Sequence, residues 1–305
     1  MKFPIEYPKV SVIVLNFNGK EYLKNCFESL KNQTYPNYEV IMVDNASTDE
    51  SVEYVKKGFP WVRVFQNKEN LGFAGGNNAG IKQATGNLIA LINNDAVADK
   101  KWLEELVKVI TVSPKIGIVG GKIYYSDPPD RCWFAGGNFY LPFGRGAQIQ
   151  EKKDRVKEVD WITGCAILFR GKVIEKIGLL DSGYFIYFED MDFCLQAKRS
   201  EYKIIYTPEA VVWHGEAGTT KRFGSKKLYY EYQSKFRFIL KNLSLAQIIS
   251  ALMFQLIFVT FYNYVILRNE NFLEKAKALI WNLKHLRETL EARRSSELRR
   301  KTAEK

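Results

Sequence analysis

Three apolar runs near the start of the chain each end in polar residues. Lys9-Val10-Ser11-Val12-Ile13-Val14-Leu15 leads into Asn16-Phe17-Asn18, Tyr38-Glu39-Val40-Ile41-Met42-Val43 into Asp44-Asn45-Ala46-Ser47-Thr48-Asp49, and Leu88-Ile89-Ala90-Leu91-Ile92 into Asn93-Asn94-Asp95. Runs of this length, separated by helix-like stretches, predict a parallel sheet buried on both faces. Ligands of such sheets bind beyond the carboxyl ends of the strands. Here those ends carry Asn16, Asp44 and Asp95, so the polar groups converge where a nucleotide would lie.

Between the runs, Tyr22, Leu23, Cys26, Phe27 and Leu30 recur at helical spacing and predict a helix over 20–32, broken by Tyr35-Pro36-Asn37. Helices are also expected over 49–57 and 101–111, and a short strand over 62–65. Gly72-Phe73-Ala74-Gly75-Gly76-Asn77-Asn78 reads as a glycine-rich turn opening a helix that runs to Gln83. The order β-α-β-α-β-α-β fits a nucleotide-binding α/β layer. Residues 117–150, rich in Gly, Pro and aromatics, predict strands and loops. A strand is expected over 159–170, a helix over 171–177, an acidic group followed by a helix over 181–198, and two strands over 203–206 and 210–213.

The 305 residues are 46% hydrophobic and 14% aromatic, enough for a sizeable core, which argues against global disorder. The net charge of +11 is uneven: residues 226–305 carry 16 Lys+Arg against 7 Asp+Glu, and the first 225 residues are near neutral. A basic tail of this kind points to an anionic partner, membrane lipid or nucleic acid. The cysteines Cys26, Cys132, Cys165 and Cys194 form no C-x-x-C pair, which argues against a zinc ribbon or a disulfide scaffold and for a reducing cytosol. Residues 1–8 lack the apolar core of a signal peptide, so the main body is expected in the cytoplasm.

Several groups have two readings. Asp44 is placed to accept hydrogen bonds from a base N–H, or to cap the following helix; the roles are compatible. Asp95 is either a ligand for a divalent cation on a diphosphate or part of an ordinary polar turn. Glu189-Asp190-Met191-Asp192 sits among Tyr184, Phe185, Tyr187 and Phe188. Mutual repulsion and desolvation would raise a carboxyl pKa there and suit a general base; acidic enrichment in a helix's first turn explains the same residues. His214 follows a buried strand and is either structural or on the rim near Asp95. His285 has no visible partner and is expected at the surface. Gly72 to Gly76 does not match G-x-G-x-x-G and follows the third strand rather than the first, so it is no dinucleotide fingerprint.

Taken in order, Ser11 to Asn18, Val43 to Asp49, Asn70 to Asn77, Asn93 to Asp95, Thr163 to Ala166 and Tyr187 to Asp192 resemble glycosyltransferase family 2, the inverting GT-A enzymes. Within it they look like rhamnosyltransferase-type members that build cell-surface polysaccharides. The similarity covers roughly residues 9–240. It implies a GT-A fold, a Rossmann-like mixed sheet flanked by helices, over residues 1–225, with a donor half to about 115 and an acceptor half from about 116. It implies that Asp44 meets the base of a dTDP- or UDP-linked sugar, with Asn16 and Asn18 lining that pocket. Asn45, Gly72, Phe73, Asn77 and Asn94 would border the nucleotide sugar. Thr163, Gly164 and Asp192 would stand on the acceptor side. Asp190, with Glu189 beside it, would be the catalytic base, and Asp95 and His214 would hold Mn²⁺ or Mg²⁺. The family's D-x-D motif has Asn93 at its first position here, which weakens the metal site. The Q-x-x-R-W motif of processive synthases is missing, which argues for transfer of a single sugar.

Asn242 to Leu267 contains no charged residue and is long enough to span a bilayer, yet Gln247, Ser250, Gln255 and Asn263 interrupt it. Spanning, in-plane and oligomer-forming helices all fit. A C-terminal membrane-associated or oligomerisation region over 226–305 is therefore expected, ending in a basic helix from Arg287 that suits anionic headgroups. Either way a glycan or lipid-linked acceptor at the cytoplasmic face of a membrane is natural. Two other classes compete: a non-catalytic nucleotide-sugar-binding or scaffold protein, supported by Asn93, and a nucleic-acid binder, opposed by the near-neutral first 225 residues.

Overall fold

Strand β1 (Val10–Asn16) is apolar except at Ser11 and Asn16, and nearly all of it is buried. A strand hidden on both faces needs a neighbour on each edge, and β1 has them. It pairs in parallel with β2 (Tyr38–Asp44) and with β4 (Leu88–Asn93), and β3 (Arg63–Gln66) adds to β2. The structure, a computed structural model, describes residues 7–150, 155–215, 224, 226–258 and 272–303.

The helices between these strands cover the sheet. α1 (Lys20–Lys31) buries Leu23, Cys26, Phe27 and Leu30, the stripe that its spacing predicts. α2 (Ser51–Gly58) follows β2. α3 (Gly72–Ile81) differs from expectation: the glycine-rich segment is itself the helix. A Cβ on Gly80 would lie 2.7 Å from Ile13 and 2.8 Å from Val43, so only a bare backbone packs so close to β1 and β2. Packing outweighs the roughly 1 kcal/mol that each helical glycine costs.

Beyond β4 come β5 (Ala96–Ala98), α4 (Trp102–Ile110), β6 (Ile116–Tyr125), β7 (Cys132–Phe134), the hairpin β8 (Gly137–Tyr140) and β9 (Arg145–Gln148), β10 (Lys157–Glu158), β11 (Ala166–Arg170), α5 (Gly171–Ile177), α6 (Glu189–Arg199) and β12 (Lys203–His214). The main sheet runs β10-β12-β6-β11-β4-β1-β2-β3, with β5 on β12 and β7 on β6. β11 is antiparallel to both β4 and β6, which makes the sheet mixed. The two strands expected over 203–213 are one, with a register shift between Tyr206 and Val211. The strand expected from 159 begins only at Ala166.

The C-terminal region is helical, as its pattern predicts. α7 (Lys226–Asn242) sends Phe238 into the main core, while Tyr232, Phe236, Ile239 and Leu243 form a second cluster with Ala251 and Ala278. Ser244 caps α8 (Leu245–Met253) through a capping box with Gln247, so the uncharged run is broken near its start. A π turn, Phe254–Phe258, follows. α9 (Phe272–Lys284) packs on α7, and α10 (Leu286–Ala303) closes the described chain. His285, expected without a partner, stacks on Trp281 with ring centres 3.9 Å apart. Among the described residues no helix is long and apolar enough to cross a membrane. Residues 259–267 of the uncharged run lie outside the described residues.

Candidate active site

The strand registers level the polar ends. Asn16 lies opposite Asp44, and Leu15 opposite Asn93. Asn16 Nδ2 donates to Asp44 Oδ1 at 3.1 Å, and Asn94 Nδ2 donates to Asn16 Oδ1 at 2.8 Å. Ser47 N donates to Asp44 Oδ2 at 2.9 Å, and Thr48 N to Asn18 Oδ1 at 2.7 Å. Asn45 Nδ2 reaches the Gly72 carbonyl at 2.9 Å. This network ties three strand ends and the start of α3 into one rim.

A cavity of about 740 Å³ opens above it. Asn45, Gly72, Phe73, Asn94, Asp95, Thr163, Gly164, Glu189, Asp190 and His214 line it. Asn16, Asp44 and Asn77 do not: all three are buried behind the wall, where Asn77 Nδ2 holds the Phe73 carbonyl at 2.9 Å. Asn18 stands outside the lining as well. Asp192 departs furthest from its expected acceptor-side place. Its buried carboxylate accepts from Lys241 Nζ and Asn242 Nδ2, both at 2.6 Å, and so belongs to the contact with α7.

Asp190 is held from two directions. Gly164 N donates to Oδ2 at 2.9 Å and Met191 N to Oδ1 at 2.7 Å. A Cβ on Gly164 would lie 2.9 Å from the Phe73 ring and 3.6 Å from Asp190 Cβ, so this glycine is what lets α3 and α6 meet there. Burial raises the Asp190 pKa against the lowering effect of its hydrogen bonds from Gly164, Met191 and Thr163. Burial, with the neighbouring Asp190 charge, pushes Glu189 well above the usual carboxyl range. The turn that delivers both is bent hard: Tyr187 (φ 70°) and Phe188 (φ 67°) are left-handed in succession. Such non-glycine residues cost on the order of 1–3 kcal/mol each and gather at functional sites.

Elsewhere in the lining, His214 Nε2 lies 3.2 Å from Asp95 Oδ1 and 3.3 Å from Asn93 Nδ2, and the Trp133 ring centre stands 4.7 Å from that of the imidazole. Burial alone would lower the His214 pKa, but Cys165 and Asp95 hold it well above its usual value. The 3.2 Å separation is that of a direct ion pair, and since two donors cis to each other on an ion at about 2.1 Å are roughly 3 Å apart, it also leaves this carboxylate and imidazole able to share one divalent cation. Among the described residues no group of three or more His, Cys, Asp or Glu is placed to hold a metal. The remaining donors would therefore come from phosphate oxygens and water, the usual arrangement for such cations.

Residues 11–178, more than half of the chain, match the family model described as Glycosyl transferase family 2. The chain belongs to glycosyl transferase family 2. It is 24% identical over 234 residues to a low-salt glycan biosynthesis hexosyltransferase of Haloferax volcanii, covering 74% of each chain. It is 22% identical over 254 residues to the N-acetylglucosaminyl-diphospho-decaprenol L-rhamnosyltransferase of Mycobacterium tuberculosis, covering 75% of this chain and 83% of the relative. An uncharacterized protein of Sinorhizobium fredii is 28% identical over 230 residues, and the matched region spans only 25% of that longer relative. The fold is shared with the mannosyltransferase PcManGT of Pyrobaculum calidifontis, solved with GDP-Man and Mn²⁺ (TM-score 0.59, 18% identity, 97% of this chain and 88% of that one). It is shared also with GalNAc-T7, solved with UDP, GalNAc and Mn²⁺ (TM-score 0.63, 17% identity, 80% and 50%). Both structures carry the mixed sheet flanked by helices expected of a GT-A fold.

For this family 2 protein the sequence pattern missed part of the cavity. Trp133, Arg145, Trp161, Cys165, Lys227 and Lys235 all line it. Arg145, Lys227 and Lys235 come from the hairpin and from α7, where no strand end announces a site. Cys165 and Trp161 flank Thr163-Gly164, and their proximity to that motif was the one available signal.

Proposed function

We propose that this protein is an inverting glycosyltransferase. It moves one sugar from a dTDP- or UDP-linked donor to a hydroxyl of a glycan or lipid-linked acceptor, in assembly of a surface glycan. The observation that carries this is that Asp190 and the Asp95–His214 pair line one cavity. The base lies against Phe17 and Asn45, with Asp44 fixing that turn from behind, and the sugar against Gly72 and Phe73. An Asp190 oxygen takes the proton of the acceptor hydroxyl. The hydroxyl oxygen forms a bond to the anomeric carbon as the bond to the diphosphate breaks, with inversion. The proton rests on Asp190 and the electron pair leaves with the nucleoside diphosphate. Gly164 and Met191 keep the carboxylate aimed throughout, and the raised pKa makes it a stronger base than a solvated aspartate. Asp95 and His214 would hold Mn²⁺ or Mg²⁺, which when bound supplies charge neutralisation on the diphosphate.

Support for a polysaccharide or lipid-linked acceptor comes from the relatives' own reactions. Rhamnose is the first sugar to try, because a rhamnosyltransferase is among them. Placement at the cytoplasmic face of a membrane, through residues 226–305, is supported by their basic charge and by the apolar residues exposed on α8, and self-association through the same helices is the other use of that surface.

The test is nucleoside diphosphate release from dTDP-, UDP- and GDP-sugars with a lipid-linked acceptor extract, in Mn²⁺, Mg²⁺ or EDTA. One donor is expected to support metal-dependent release. Asp190→Asn is expected to cut it by about 10²–10⁴ while donor binding holds. Undiminished release by Asp190→Asn would refute Asp190 as the base.

A further inference from the structure

The cavity has two electrical ends. Asp95 follows β4, and Glu189 and Asp190 open α6. Toward the C-terminal helices the lining turns cationic, with Arg145 on β9 and Lys227 and Lys235 on α7, against the single carboxylate of Glu231. Lys275 of α9 stands behind Lys235: each ammonium lies 5.2 Å from the centre of the Tyr232 ring. The Lys235 side chain is only 14% exposed, and Glu231 is 3.7 Å away. Arg145 and Lys227 have no ion pair among the described residues.

These cations are held together against their own repulsion. Burial lowers the Lys235 pKa; Glu231 opposes that and Arg145 adds to it. Burial and then the Lys235 charge bring Lys275 down to about 8. Lys235 and Lys275 are largely out of water, where like charges are unfavourable until an anion joins them, and Arg145 and Lys227 at the exposed side add to the positive charge that the one carboxylate of Glu231 does not cancel. The group also lies close to the reacting centre. A Cβ on Gly146, the neighbour of Arg145, would stand 2.5 Å from the Met191 methyl, one residue from Asp190.

The same end is apolar on its outer side. Phe254 lines it. Beyond Phe254, Leu245, Ile249, Met253 and Ile257 recur every fourth residue and are each more than half exposed. The chemistry matched by this end is a phosphate with an apolar chain attached.

We propose that the cationic end binds the phosphate or diphosphate of the acceptor, with Arg145 and Lys235 on its oxygens, while the acceptor's apolar chain leaves along the exposed row of α8. The acceptor's hydroxyl and its phosphate then occupy the two ends of one cavity. The assignment to the acceptor rests on the transferase reading above.

The test is binding of geranyl phosphate to the full chain in EDTA, beside geraniol and inorganic phosphate, in wild type, Arg145→Gln and Lys235→Gln. Geranyl phosphate is expected to bind best of the three, and each substitution to weaken it about tenfold or more, the loss of one charge-assisted hydrogen bond. Affinity for the nucleotide sugar is expected to stay within about twofold. Arg145 is exposed, so its variant carries the test if Lys235→Gln fails to fold. Unchanged binding in Arg145→Gln overturns the proposal. So does an equal loss of nucleotide sugar, which would put the cations on the donor. Inorganic phosphate binding as tightly as geranyl phosphate removes the lipid, and geraniol binding as tightly removes the phosphate. Retained geranyl phosphate binding in a protein that releases no nucleotide from any donor would uphold the phosphate site while the transferase reading falls.

Discussion

Glu189 and Asp190 are adjacent, yet their surroundings separate their tasks. Asp190 has two backbone donors and faces the cavity. Glu189 has a carboxyl oxygen buried with no hydrogen-bond partner among the described residues. A group whose folded pKa is raised stabilises below its unfolded pKa and loses that contribution as pH rises through the folded value. Glu189 therefore weighs against the fold more as pH rises from about 4.3. Glu189→Gln, which keeps shape and removes the titration, is expected to raise the melting temperature at pH 8 more than at pH 5. Equal shifts at the two pH values would contradict the burial argument. At this scale the sequence marked Asp95, Asp190 and His214, because a polar residue after a buried strand or in an aromatic turn stands out. It marked Asp192 as acceptor-facing because a linear acidic group cannot say which carboxylate turns inward. The answer depended on Lys241, far along the chain.

Helix α3 shows why an element's type can be legible while its form is not. Glycine clusters normally signal turns, and only the strands beneath explain a helix that begins at Gly72 and needs bare backbone. Gly76→Ala would place a Cβ 2.4 Å from Leu15 Cδ1 and 2.7 Å from Asn45 Nδ2. We expect a loss of about 1–3 kcal/mol in denaturant unfolding, with weaker nucleotide-sugar binding because Asn45 is displaced. The α7 contact is another element-level feature without a local signature. Lys241 binds Asp181 (2.8 Å) and Asp192 (2.6 Å), and Arg237 binds Asp181 at 3.0 Å, all nearly out of water. Lys241→Met is expected to destabilise by about 3–5 kcal/mol, since it strands buried carboxylates. Adding Asp192→Asn should return part of that, and a double-mutant cycle by chemical unfolding would show the coupling.

For the whole molecule, the periodicity of residues 226–303 announced helices but not what they would pack against, because an apolar stripe fits a membrane, a second copy or the chain's own body equally well. The body takes much of it here. Acid should test that attachment. Despite burial, Lys241 and Arg237 hold Asp181 down to about 2. A depressed carboxylate stabilises above its unfolded pKa and loses that contribution as pH falls through its folded one. Stability is therefore expected to drop by about 2 kcal/mol from this group between pH 5 and pH 2, and Asp181→Asn should flatten that slope in urea titrations. The family model's match ends at residue 178, well before α7, yet α7 supplies the counter-charges for Asp181 and for Asp192, two residues beyond the base. Excising the part that carries the family match, for instance by cutting near residue 225, would not yield a smaller enzyme. It would yield a polypeptide whose Asp181 and Asp192 have lost their cations and whose core has lost Phe238 and the helix above it, and such a fragment belongs in inclusion bodies rather than in an assay.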